Sequence, residues 1–236
     1  MKKDCLMTHT ISTNTLNNAR NFSHNSVQGH HHSILAVERY ADKNSLRWSM
    51  STGCLMDGNS LAARYAAGSV LKKVINGIGM CIGDVNTLYI SDLHLPYHHR
   101  DAFDFLFALN EYYKFDQVFN VGDLYDHHTG NYHETEPDAL SPEKEYEEAK
   151  KYAHELQDIF PDMIISTGNH DNIPKRKMKT VGLPYSMVGD YNKLYDTEDG
   201  WEFVDSHWHS TYGAYPITVP MVLNKRSRWD KVIPKL

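Results

Sequence analysis

Three short polar clusters each directly follow an apolar run that is typical of a buried strand. They are Asp92-Leu93-His94, Gly122-Asp123 and Gly168-Asn169-His170-Asp171. Because ligand sites assemble at the carboxyl ends of strands in an open parallel sheet, we expect these side chains to meet at one rim. Carboxylate, amide and imidazole groups together suit Mn, Fe, Zn or Ni. Three such clusters therefore predict a metal site, where any one of them alone would be weak evidence.

A fourth cluster lies upstream, where Gly29 precedes His30, His31 and His32. A short histidine run near an N-terminus is also typical of a tag remnant or a solvated loop. We favour a ligand role because the run is only three residues long, a glycine precedes it and strand-like residues follow. Gly29 permits a close backbone approach. Alternation along an extended segment would point His30 and His32 to the same side.

The elements around the first three clusters alternate between strand and helix. Residues 87–91, 117–121 and 163–166 predict short buried strands. Between them, residues 101–113 predict a helix with Asp101 as N-cap, and residues 142–160 predict a second helix with Pro142 in its first turn. This βαβαβ order favours parallel strands.

The first eighty residues have a different pattern. Residues 34–40, 46–51 and 73–82 predict strands, and residues 42–45 supply a turn between the first two. We expect this half to be β-rich and more antiparallel. The two halves together predict a mixed α/β fold.

The composition excludes several classes of protein. There is no apolar run of roughly eighteen residues, so we expect no membrane span. The N-terminus has no apolar signal segment, and Cys5, Cys54 and Cys81 are too few for a disulfide framework. We therefore expect a cytoplasmic protein, in the host cytoplasm if it is viral, with Cys54 and Cys81 in its core. A net charge of −6 argues against bulk nucleic-acid coating, and fifteen histidines in 236 residues favour metal chemistry.

The four clusters together resemble the motif set of the calcineurin-like metallophosphoesterases, particularly their short phage-type members. That family has the order D-x-H, G-D, G-N-H-D, a lone histidine and G-H-x-H. Here the histidine clusters come first, so the chain looks like a circular permutant whose former termini join near residues 83–86. The resemblance implies one domain over residues 1–210, folded as a four-layer α/β/β/α sandwich. Residues 1–83 would correspond to the family's C-terminal part and residues 84–210 to its N-terminal part.

The resemblance also implies two divalent metal ions about 3.5–4 Å apart, with Mn favoured and Fe, Zn, Ni or Mg as alternatives. The implied ligands of the first ion are Asp92, His94 and His32, those of the second are Asn169 and His30, and Asp123 bridges both. The family's lone histidine completes the second set. We assign it to His9, which follows an apolar stretch twenty residues before Gly29. His207 and His209 are its rivals, because they also follow a strand-like segment.

The implied reaction is hydrolysis of a phosphate ester by a hydroxide that bridges the two metals. His170 would protonate the leaving group, and Asp171 would orient His170 or a neighbouring ligand. By analogy with small, cap-free members, we favour phosphodiesters. The wider set of substrates compatible with the motifs comprises nucleic acids, cyclic nucleotides, nucleotide polyphosphates and phosphoproteins. The alternatives are a catalytically silent scaffold and a single structural metal. Structural zinc sites are usually closed by Cys and His, and a ligand set rich in Asp and Asn argues against one.

Four further features are less specific. His127 and His128 could line the substrate cleft or lie in an exposed loop. Lys175, Arg176 and Lys177 could hold a substrate phosphate, although a surface charge run is commoner. The acidic run 134–148 is typical of a solvated helix face. Residues 211–236 match nothing in the family, and the basic segment 224–236 favours a disordered end or a contact with nucleic acid.

Overall fold

The computed structural model describes residues 4–60, 63, 73–131, 136–211 and 213–221. Its helices are α1 (Thr15–Asn21), α2 (Ala102–Tyr113), α3 (Pro142–Ile159), α4 (Ile173–Val181) and α5 (Tyr191–Tyr195). Its strands are β1 (Cys5–Thr8), β2 (Asn25–Gln28), β3 (Leu35–Ala41), β4 (Leu46–Thr52), β5 (Gly77–Ile82), β6 (Thr87–Ile90), β7 (Gln117–Asn120), β8 (Met163–Ser166), β9 (Trp201–Val204), β10 (Ser206–His209) and β11 (Tyr215–Pro220). Short 3₁₀ turns lie at His128–Gly130 and Tyr185–Met187.

The strands of the described residues form two mixed sheets. One has five strands in the order β10-β1-β2-β4-β3, and the other has six in the order β11-β5-β6-β7-β8-β9. In the larger sheet β6, β7, β8 and β9 are parallel, while β5 and β11 are antiparallel to their neighbours. The carboxyl ends of β6, β7 and β8 therefore share one rim, as the sequence predicts.

The expectation of a more antiparallel N-terminal half is confirmed for the predicted pair of strands, because β3 and β4 are antiparallel, but the smaller sheet as a whole is mixed. Strand β1 pairs with β2 in parallel, and β2 pairs with β4 in parallel. Helix α1, which the sequence pattern did not reveal, makes the crossover between β1 and β2. Its seven residues are mostly polar, and its start is capped by Asn14, whose side chain accepts a hydrogen bond from the Asn17 backbone N–H.

Two apolar clusters hold the sheets and helices together. The first draws Met7, Val27 and Met50 from the smaller sheet and Tyr89 and Phe119 from the larger one. The second packs α2 and α3 on the larger sheet. All three cysteines are buried, which confirms the prediction for Cys54 and Cys81.

The larger sheet includes residues beyond position 210, the end of the domain that the family resemblance implies. Strand β11 pairs with β5, and the Met221 N–H donates to the Asn76 carbonyl over 2.9 Å. Edge pairing of this kind leaves little local pattern, because the strand is short and carries a proline at position 216 and another at position 220. Residues 222–236 lie outside the described residues. None of the described helices has the length and apolar character needed to cross a bilayer.

Candidate metal centre

The loops that follow β1, β2, β7 and β8 bring four donor side chains to one point. His9 Nε2 lies 3.1 Å from Asp123 Oδ2 and 3.2 Å from Asn169 Oδ1. His30 Nδ1 lies 3.2 Å from the same His9 nitrogen. The first group therefore contains two imidazoles, one carboxylate and one amide.

A second group adjoins the first and includes the loop that follows β6. His32 Nε2 lies 2.9 Å from Asp92 Oδ1 and 3.3 Å from His94 Nε2. His94 Nε2 is also 3.8 Å from Asp92 Oδ1 and 3.8 Å from Asp123 Oδ2. Asp123 is thus within reach of both groups. The structure brings together all seven side chains for which the sequence predicts metal binding.

The donor chemistry of the two groups fits divalent cations. Two ring nitrogens that face each other can hold only one proton between them, so at least one nitrogen of each pair, His9–His30 and His32–His94, presents a lone pair. Carboxylate oxygens of Asp92 and Asp123 lie close to these nitrogens. Imidazole and carboxylate ligands of this kind suit Mn, Fe, Zn or Ni.

His207 and His209, the rivals of His9, lie elsewhere. His209 is buried, and its Nε2 lies 2.6 Å from the Tyr89 hydroxyl. The ring of His207 packs on Phe119 at 5.6 Å. Among the described residues, neither histidine belongs to a group whose ligand atoms converge.

His30 and His32 reach the centre by a different route from the predicted one. Strand β2 ends at Gln28, and the segment beyond it turns, because the His31 N–H bonds to the Gly29 carbonyl and His32 N–H to the His30 carbonyl. His30 itself has a φ of 64°. The two side chains join different groups as a result, so the expectation of an alternating extended segment is wrong.

The backbone is strained at the ends of these strands. Seven non-glycine residues of the described chain have positive φ, and the five nearest the centre are His30, Asp92, His94, Asp123 and His127. Left-handed conformations are costly for such residues and cluster at functional sites. Four of these residues, His30, Asp92, His94 and Asp123, are candidate ligands, and the conformation turns the chain sharply after β2, β6 and β7.

Two glycines leave the room that this convergence needs. A Cβ on Gly29 would lie 2.6 Å from Asp92 Oδ2, which confirms the predicted close approach. Gly122 has a φ of +99°, and a Cβ there would lie 2.3 Å from His9 Nδ1. Larger residues at these positions would displace the ligands.

The buried side chains of His9 and Asp123 stabilise each other's charged forms. Burial lowers the pKa of His9, but the Asp123 carboxylate overcomes this effect and raises it to about 10. Burial raises the pKa of Asp123, and the opposing field of His9 brings it down to about 2. The charge of Asp123 therefore favours the protonated form of His9 when no metal is bound, and a metal ion would compete with that proton.

Asp126 is a buried residue of this site that sequence reasoning missed. Its Oδ1 lies 2.6 Å from His94 Nδ1 and 3.2 Å from His170 Nδ1. His170 Nδ1 also lies 2.8 Å from the Asp126 carbonyl oxygen. The signal was present in the sequence, since a second aspartate follows the Gly122-Asp123 pair three residues later. By fixing Nδ1 of both rings, Asp126 directs the Nε2 atom of each towards the centre.

Asp171 makes contacts that differ from the predicted one to His170. Its Oδ1 accepts the Tyr125 N–H over 2.9 Å, and its Oδ2 accepts the Gly168 N–H over 2.8 Å. Burial, and then the charge of Asp123, raise its pKa to about 6. The carboxyl group thus ties the loop after β7 to the loop after β8, so it positions ligands through their backbones.

In the loop after Asp126, His128 is buried and His127 is half-buried, so neither ring is exposed. His127 Nδ1 lies 3.0 Å from the His170 carbonyl oxygen, and its Nε2 lies 2.7 Å from the Tyr195 hydroxyl. Glu145 of α3 accepts the backbone N–H groups of His128 and Thr129. Only 4% of Glu145 is exposed, so the prediction of a solvated acidic face is wrong for this residue. Its burial follows from packing between α3 and the loop, which a local charge pattern does not reveal.

The comparison with protein families agrees with this geometry. The family model for calcineurin-like phosphoesterases matches residues 85–233, more than half of the 236 residues. No curated protein and no solved structure is significantly similar to the chain. Asp92, His94, Asp123, Asn169 and His170 lie within the match, which implies a metal-dependent hydrolase of phosphate esters. The chain belongs to the calcineurin-like phosphoesterase family.

Proposed function

We propose that the protein is a dinuclear metal-dependent phosphoesterase that acts preferentially on phosphodiesters. The observation that carries this proposal is the pair of adjoining ligand groups with Asp123 between them. A carboxylate can give one oxygen to each of two ions. A single structural site would need only one such group, typically of four ligands.

The ligands divide between two positions. Asp92, His94 and His32 would hold one ion. His9, His30 and Asn169 would hold the other, and Asp123 would bridge the two positions. Two bound cations, with Mn favoured, would supply hydroxide near neutral pH and stabilise charge that develops on the phosphoryl group.

His170 is placed to handle the proton of the leaving group. Its Nδ1 is held by Asp126, and its own backbone N–H donates to Asp123 Oδ1 over 2.8 Å. His170 is 6% exposed, and its ring packs against His94 with ring centroids 4.6 Å apart. Burial lowers the pKa of His170, but the hydrogen bond to Asp126 and the nearby carboxylates raise it above its ordinary value. Protonated Nε2 would then act as a general acid towards the leaving alkoxide.

We also propose that the chain is a circular permutant of the family fold. The family match begins at residue 85, inside the 83–86 segment where the former termini would be joined. His9, His30 and His32 precede the match, yet they lie in the centre. The layers would be α1, the smaller sheet, the larger sheet, and then α2 with α3.

The permutation can be tested by restoring the family order. A chain that begins at Val85, with Leu236 joined to Met1 by a flexible linker, should keep its metal stoichiometry and its hydrolytic rate. Retention follows if both orders build the same centre. A relinked protein that folds with the parent's circular dichroism spectrum but binds no metal would contradict the proposal.

The activity itself is tested by Mn-dependent hydrolysis of bis(p-nitrophenyl) phosphate. Asp123→Asn should lower kcat/KM by at least about a thousand-fold, because both metal positions lose charge. Asp104→Asn on the exposed face of α2 is the matched control. Metal analysis of the parent should give two ions per chain.

Three outcomes would argue against parts of the proposal. Unchanged hydrolysis in Asp123→Asn would place the chemistry elsewhere. One ion per chain would favour a structural metal. Faster turnover of p-nitrophenyl phosphate than of the diester would remove the diester preference and leave the phosphoesterase intact.

A further inference from the structure

Helix α4 and the residues that follow it form a surface with unusual charge. Between Asp171 and Asp190 the sequence contains four cations and no carboxylate, although the whole chain has a net charge of −6. The cations are Lys175, Arg176, Lys177 and Lys179. A local excess of this kind attracts polyanions when it lies on one element.

The same segment exposes large apolar side chains. The exposed fractions are 67% for Val181, 42% for Leu183, 54% for Tyr185 and 61% for Met187. Four such residues within seven positions form a patch, whereas scattered exposed apolar residues need no explanation. We call residues 172–188 the α4 surface.

The α4 surface is attached directly to the candidate metal centre. The Ile173 N–H donates to the His170 carbonyl over 2.9 Å, and Lys177 Nζ donates to the Asn131 carbonyl over 3.2 Å. Lys175 Nζ lies 5.1 Å above the ring of Tyr191, whose hydroxyl donates to the Asp171 carbonyl. These contacts make α4 a continuation of the wall that carries His170.

We propose that the α4 surface binds a single-stranded nucleic acid and places one of its phosphodiesters at the metal centre. This inference rests on the proposed function. The four cations lie between Lys175 and Lys179, about 6 Å along the helix axis at roughly 1.5 Å per residue, which is the span of about three phosphates at roughly 3.4 Å per nucleotide. The cations pair with phosphates along this length. Tyr185 offers a ring on which a base stacks, and base–aromatic stacking tolerates any sequence.

Binding of a fluorescein-labelled 20-nucleotide single-stranded DNA with hydrolysis-resistant phosphorothioate linkages tests this inference. Fluorescence anisotropy is measured with Mn-loaded protein over a series of salt concentrations. The test variant carries Lys175→Gln, Arg176→Gln and Lys179→Gln, and keeps Lys177 because of its bond to Asn131. The control carries Lys43→Gln, Lys114→Gln and Lys144→Gln, which removes the same charge from exposed positions elsewhere.

The test variant should raise the Kd at least about ten-fold. The slope of log K against log salt should become shallower by about 2, since each phosphate contact to a single strand contributes about 0.7. The control should change the Kd less than about three-fold, because separated surface charges are screened. Tyr185→Ala should weaken binding about ten-fold, whereas Tyr185→Phe keeps the ring and should bind like the parent.

Several outcomes would overturn the inference. They are no oligonucleotide binding by the parent, equal losses in the two triple variants, and binding to phosphatidylserine vesicles in place of the oligonucleotide. Hydrolysis of bis(p-nitrophenyl) phosphate is measured in parallel. A parent that cleaves this small ester but fails to bind DNA would refute only the docking surface. A parent that binds DNA through α4 but cleaves no ester would refute only the proposed activity.

Discussion

The two parts of the chain contribute different chemistry to the centre. Residues 4–60 supply imidazoles only, from His9, His30 and His32. The part that matches the family model supplies both carboxylates, the amide of Asn169 and the imidazole of His94. Each of the two groups of candidate ligands draws on both parts, because His9 and His30 join Asp123 and Asn169, and His32 joins Asp92 and His94.

The two parts also differ in how their ligands are held. His94 is fixed by Asp126, and the loops that carry Asp123 and Asn169 are tied together by Asp171. All of these contacts lie within the family-matched part.

Two histidines of the N-terminal part, His9 and His30, are bonded to the family-matched part. His9 Nδ1 bonds to the Val121 carbonyl over 2.8 Å, and the His30 N–H bonds to Asp92 Oδ2 over 2.9 Å. The family-matched part thus contacts His9 through its ring and His30 through its backbone.

The largest effect that tests this comparison is expected from His9→Ala. If the N-terminal part supplies true metal ligands, hydrolysis should fall by at least about a hundred-fold, beyond the 10–100-fold typical of outer contacts. His207→Ala, on β10, should stay within about two-fold of the parent. The measurements are kcat/KM with bis(p-nitrophenyl) phosphate and metal content. A large loss in His207→Ala with little loss in His9→Ala would reverse the assignment of the lone histidine.

A smaller loss of activity is expected when a contact within the family-matched part is weakened. Asp126→Asn keeps the size of the side chain but removes the charge beside His94 and His170. We expect about a 10- to 100-fold fall in kcat, with metal content reduced less than in His9→Ala. Asp104→Asn is again the control. A kcat equal to that of the parent would show that the buried pair does not position either ring.

The secondary structure that the sequence predicts most clearly lies in the family-matched part. The three strands β6, β7 and β8 and their polar ends were evident, because each apolar run is short and continuous and its polar cluster is local. Helix α3 was equally clear, since Pro142 marks its start and its apolar residues recur at helical spacing. The seven candidate ligands came from motif resemblance and strand ends, and the structure brings them together.

The missed features depend on contacts between distant residues. Helix α1 has no apolar stripe long enough to show a period, and β11 is an edge strand that contains prolines. The burial of Glu145 and His127 is decided by packing among α3, α5 and the loop after Asp126. The turn at His30 depends on a left-handed φ, which a histidine at that position does not predict.

Glu145→Gln tests whether helix α3 stabilises the loop after Asp126. The carboxylate accepts two backbone N–H groups, and the amide nitrogen of glutamine would place a donor against one of them. We expect the free energy of unfolding to fall by about 2 to 3 kcal/mol, measured by urea denaturation of the metal-free protein. Glu143→Gln, exposed in the first turn of α3, should stay within about 0.5 kcal/mol. Equal effects of the two substitutions would mean that the loop does not depend on α3.

The smallest expected effect is a pH dependence of stability that comes from His127. Burial lowers the pKa of His127 to about 4, while the unfolded chain has its ordinary value of about 6.5. The unfolded state therefore binds more protons between pH 4 and 6.5, and stability falls as the pH drops through this window. Between pH 7 and pH 5 this one ring should cost about 2 kcal/mol, and His127→Gln should remove that share of the slope. His154→Gln is the control because it removes a different ring, which lies on α3 and bonds to the Asp196 carbonyl. If the unfolding free energy of His127→Gln changed with pH as steeply as that of the parent, His127 and its bond to Tyr195 would not be the source of the acid sensitivity.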